Sequence, residues 1–91
     1  MKERLYRMIN TVDIKFIEMI GKNVLKELNG LSPTEANLII PSDGFMRLGR
    51  TDWKVIQIVK EIDLINDLGE IHLTIHIYLN KITKNDYYLL K

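Results

Sequence analysis

Cysteine is absent from these 91 residues, which excludes disulfide staples and thiolate chemistry. A chain without cysteine suits a reducing compartment, so a cytoplasmic location is expected. Proline occurs twice and glycine five times, and no linker, internal repeat or low-complexity tract is visible. No apolar run is long enough to span a bilayer as a helix, and no membrane partner is expected. The opening Met-Lys-Glu-Arg and its amphipathic continuation do not read as a secretory signal. Charge of either sign is not in excess: the formal net charge is +1, so gross charge calls for no polyanionic partner. The length predicts one domain, residues 1–91, with a modest core.

What is present is a strong period of two. Ile71, Leu73, Ile75, Ile77 and Leu79 alternate with His72, Thr74, His76, Tyr78 and Asn80, the pattern of a strand with one apolar and one polar face. The stretch from Trp53 to Ile65 is rich in β-branched residues, which suit a pleated surface. Gly69 lies between the two and supplies the positive φ of a tight turn. These features predict a long β-hairpin over residues 53–80. A two-residue loop at Leu68-Gly69 sets Leu64 opposite Leu73, Ile62 opposite Ile75 and Ile58 opposite Leu79. It also sets Ile65 opposite His72, Asp63 opposite Thr74, Glu61 opposite His76 and Val59 opposite Tyr78. Lys60 is then the one charge in the apolar row, facing Ile77. A helix over 52–66, capped by Thr51 or Asp52, is the competing reading, because Val55, Ile56, Val59 and Ile62 are also helically spaced.

Residues 3–28 read as one amphipathic helix. Leu5, Ile9, Val12, Phe16, Ile20 and Val24 share one side, and Asn29-Gly30 reads as its cap. Asp13 falls inside the apolar arc, and residues 4–9 as a strand with a helix from Thr11 is the alternative. Ser32-Pro33-Thr34-Glu35 has the form of a capping box, with proline in the first turn. Pro41 follows so closely that a single helical turn over 33–36 and a short strand over 37–40 are expected. Ser42-Asp43-Gly44 reads as a turn, Phe45 to Leu48 as a strand, and 86–90 as either a strand or a helical turn. The expected fold class is α+β: one long N-terminal helix packed on a mainly antiparallel four- to five-stranded meander sheet.

Three residue sets carry candidate functions. His72, His76, Glu61 and Asp63 share the polar face of the hairpin and offer the ingredients of a metal or acid–base site. Residues i and i+4 of a strand are ~13 Å apart, so the two histidines do not chelate one ion. Catalytic, cofactor and metal residues are accordingly expected to be none. Arg4, Arg7, Lys15, Lys22 and Lys26 line the back of the expected helix, a basic stripe suited to phosphates, although Glu18 interrupts it and no nucleic-acid-binding signature accompanies it. Trp53, Val55, Val59, Ile65 and Tyr78 fall by alternation on the hairpin face away from the core. Tryptophan and tyrosine are enriched at interfaces, so these five are the candidate partner-binding residues. The functional expectation is a small non-enzymatic protein-interaction or regulatory module. It binds another protein or itself, as a homodimer. Nucleic-acid binding is the alternative, and a small metal- or acid/base-dependent enzyme the second alternative.

Overall fold

In a computed structural model, residues 9–41, 43–64 and 71–82 are described. Strand β1 is Ile9–Glu18, β2 Val24–Leu31, helix α1 Pro33–Ile39, β3 Phe45–Leu48, β4 Thr51–Leu64 and β5 Ile71–Lys81. The strands form one sheet in the order β2-β1-β5-β4-β3, curled into a half-barrel. All neighbours are antiparallel except β1 and β5, which run parallel.

This overturns the α+β expectation. The long helix over 3–28 is replaced by the β1–β2 hairpin, and the only helix among the described residues is the seven-residue α1. Leu5 and the rest of 2–8 lie outside the described residues. The helical spacing of Ile9, Val12, Phe16, Ile20 and Val24 conceals a second period. Val12, Ile14 and Phe16 alternate with Thr11, Asp13 and Lys15, and only the first set is buried in the core. β-branched side chains at 11, 12, 14 and 17 favour the extended form. The chain reverses at Gly21 and Lys22, both at positive φ.

Gly30 is not a helix cap. It sits at φ +69 in a bulge where Asn29 and Gly30 together oppose Asp13. The backbone N–H of Gly30 donates to Asp13 Oδ1 at 2.9 Å. The residue that marred the expected helix is thus the one that anchors the bulge, a kink that bends a strand and raises its twist.

The capping box forms as expected but starts a longer helix. The Ser32 hydroxyl accepts from Glu35 N–H, and Glu35 accepts from Ser32 N–H. Residues 37–39 continue the helix instead of forming a strand, and the chain turns extended at Ile40, before Pro41. Within α1, Ala36 is buried against the sheet and Leu38 faces solvent. The Glu35 carboxyl is held below the usual carboxylate range, first by the Ser32 N–H and then by the Ser32 side chain. Its support of α1 is therefore present above the ordinary carboxylate pKa and fades as pH falls through the lowered one. Ser32→Ala is expected to lower stability by about 1 kcal/mol, read as a shift of the urea midpoint.

The β4–β5 hairpin exists, with its pairing displaced by two residues from the expected one. Leu64 pairs with Ile71, Ile62 with Leu73, Lys60 with Ile75, Ile58 with Ile77, Glu61 with Thr74 and Val59 with His76. A shift of two conserves the face of each side chain, so Ile71, Ile75, Ile77 and Leu79 are buried as the alternation requires. Thr74 does point to the other face, yet it is buried there between its register neighbours Asp13 and Glu61. Beyond Gln57 the register slips at Ile56, so that Val55 pairs with Leu79 and Trp53 with Lys81. The slip turns Trp53 and Val55 inward. Val12, Ile14, Phe16, Ala36, Trp53, Ile75, Ile77 and Leu79 form the core cluster inside the curl.

Candidate functional site

The convex face carries the polar cluster. On β5, His72 reaches towards β1: Nδ1 lies 2.9 Å from Thr11 Oγ1 and Nε2 2.9 Å from Asp13 Oδ2. The carboxylate only accepts, so Nε2 carries a proton, and in the neutral ring Nδ1 accepts from the threonine hydroxyl. The order hydroxyl, imidazole, carboxylate is that of an activated nucleophile. Here both ring nitrogens are engaged, the His72 and Asp13 side chains are only 25% and 22% exposed, and none of these residues lines either cavity described below. The cluster works as a clamp. Asp13 ties β1 to β5 through His72 and to β2 through Gly30.

His76 reaches the opposite way, with Nε2 4.0 Å from Glu61 Oε2 on β4. The two histidines therefore serve different neighbours, and Asp63 pairs in register with His72. Among the described residues no three His, Asp or Glu side chains are grouped as metal ligands.

The five candidate partner-binding residues do not share a face. Trp53 is only 7% exposed and belongs to the core, Val55 packs against that core, and Ile65 lies outside the described residues. Val59 and Tyr78 stay on the convex face, joined there by Ile17, which pairs with Tyr78. Ile56, displaced by the slip, is exposed and was not among the candidates. The signal for it is the apolar doublet Val55-Ile56, which breaks the alternation at the residue where the register slips.

The basic stripe disperses with the helix that would have carried it. Lys15 on β1 pairs with Glu27 on β2 at 3.8 Å. Lys22, in the β1–β2 turn, sits 5.2 Å above the Tyr78 ring. Lys26 lies on β2, and Arg4 and Arg7 fall outside the described residues.

Among the described residues, two openings mark the concave side. The first is the seam of the half-barrel. β2 is paired only with β1 and β3 only with β4, so both outer edges are unpaired among the described residues. Between them lies a gap of about 410 Å³ lined by Leu25, Lys26, Leu48, Gly49 and Trp53. The Trp53 indole Nε1 is buried without an acceptor among the described residues, a donor state that costs about 1–3 kcal/mol. The second is a groove of about 240 Å³ between α1 and the inner face of β4. No described helix is long and apolar enough to cross a membrane. No family model, curated protein or solved structure matches this chain.

Proposed function

We propose that the chain is a non-enzymatic protein-binding module that receives an extended segment of another protein along its seam, with the cytoplasm as the compartment. The observation that carries this reading is the pair of sheet edges, β2 and β3, that have no further strand partner among the described residues and lie on either side of one gap. A strand laid there pairs its backbone with one edge or both, and its alternate side chains meet Leu25, Leu48 and Trp53. A backbone carbonyl of the added strand is also the kind of acceptor that the Trp53 N–H lacks among the described residues. Edges left open in a small sheet are a liability that proteins usually cover or blunt, and a bound strand covers them. A second copy of the chain is the other occupant the same edges admit.

Neither alternative is supported as well. The described basic side chains, Lys15, Lys22 and Lys26, are spread over a strand, a turn and an edge, with one already ion-paired and one seated on a tyrosine ring. No residue of the His72 relay lines the seam or the groove.

Selection of binders from a displayed library of random peptides tests the reading. The expected binders alternate apolar and polar residues, and they slow amide hydrogen exchange in Val24–Leu31 and Phe45–Leu48. Binders without alternation, or protection confined to the convex face, would refute strand addition. Sedimentation of the free chain separates the two occupants: a dimer with protected edges makes the partner a second copy.

A further inference from the structure

The β4 side of the concave face holds a feature that strand addition at the seam does not use. α1 packs on β1 and β2 and leaves this side uncovered. Ile62 is 58% exposed and Ile58 is also exposed, although their register partners Leu73 and Ile77 pack in or against the core. The groove between α1 and β4 has a floor of Val12, Leu73 and Ile75, with Ile40 on one wall and Ile62 on the other.

Of the nine described residues lining the groove, Asn37 and Lys60 are the polar ones. Lys60 occupies an inward position of β4 opposite Ile75, in a row otherwise given to Ile58 and Ile62. A lysine there lays its stem along apolar surface and holds its ammonium at the water boundary. No carboxylate among the described residues pairs with it. Among the described residues the site thus combines an apolar trough with a cation that has no carboxylate partner at its rim, and a neutral or cationic ligand would leave that charge unused.

We propose that this groove binds a small anionic amphiphile, a free carboxylate whose apolar body lies against Ile40, Ile62 and Ile75 while its head meets Lys60 Nζ. The volume sets the size of the body. An apolar cavity of ~150 Å³ holds a benzene ring, so the larger groove takes a substituted ring or a short acyl chain. A few convergent polar groups on an apolar lining are what orient a small ligand. No residue of the seam lines the groove, so this proposal and strand addition fail or survive separately.

The test titrates the isotope-labelled full chain with octanoate, octanol and octylammonium, followed by amide chemical shifts. Octanoate is expected to bind saturably, with shifts centred on Ala36, Ile40, Lys60, Ile62 and Ile75. Lys60→Met is expected to weaken octanoate roughly ten-fold or more, the loss of one charge-assisted contact, and to leave octanol binding as it was. Lys60→Arg is expected to keep octanoate. Unchanged urea midpoints in both variants establish that the fold is intact. Octanoate that fails to saturate at millimolar concentration, shifts centred away from the groove, or equal octanoate binding by wild type and Lys60→Met would overturn the proposal.

Discussion

Phe16→Ala is expected to lower the unfolding free energy by about 3–5 kcal/mol, the usual range for truncating a buried aromatic ring. Phe16 is 2% exposed and lies on β1, between Lys26 of β2 and Ile77 of β5 in register. β1 is the strand through which the β1–β2 hairpin joins the rest of the sheet. The lost ring leaves a cavity lined by side chains from both hairpins, where neither can collapse without breaking pairing with the other. A small domain has only about 5–15 kcal/mol in hand, so this one change removes a large share of it. The measurement is the denaturant midpoint, which should fall while the slope stays constant. Ile62→Ala is the matched control. Its side chain is on the same face but largely in water, so it should cost less than about 1 kcal/mol. Equal losses at the two positions would mean that the concave side of β4 is covered.

Asp13→Ala is expected to cost about 2–4 kcal/mol, more than its place on the convex face would imply. The carboxylate accepts from Gly30 N–H and from His72 Nε2, each at 2.9 Å. Hydrogen bonds to a charged group contribute about 1.5–3 kcal/mol apiece, and partial exposure here trims the total. Asp13→Asn separates geometry from charge. The asparagine oxygen can still accept from Gly30 while its amide donates to Nε2, provided that His72 moves its proton to Nδ1 and donates to the Thr11 hydroxyl. Asp13→Asn should therefore keep most of the stability and invert the His72 tautomer, which the ring nitrogen chemical shifts report. An unchanged tautomer in that variant would show that Asp13 does not orient the ring.

The sequence reveals β5 and the existence of the β4–β5 hairpin because alternation over Ile71 to Leu79 has no helical rival. It misplaces the pairing by two residues because the hydrophobic pattern reports a face and not an offset. The capping box at Ser32 and Glu35 is local chemistry and is legible for that reason. The N-terminal segment is not, since the apolar residues from Ile9 to Val24 satisfy the helical period while Val12, Ile14 and Phe16 also satisfy the strand period. Tertiary pairing with β5 decides between them, and nothing near in sequence announces it. The candidate partner-binding residues divide between the two faces at one place. Strict alternation assigns Trp53 and Val55 to the convex face, and a single slip at Ile56 puts Trp53 in the core and Val55 against it. The seam and the groove were not visible at all, because each is made by elements far apart in the chain.

The parallel pairing of β1 with β5 bears on how the molecule forms. Thr11 meets His72 across 61 positions, and Asp13 meets it across 59. β1 can turn back on β2 early, and β4 on β5, since each is a local hairpin. The contact that unites them waits until most of the chain is present, and it must first meet the entropy of closing a loop of that length. Such topologies fold on the millisecond-to-second scale, well behind helical domains of similar size. During synthesis, the inward side chains of β1, Phe16 among them, therefore remain without their final neighbours until β5 has emerged.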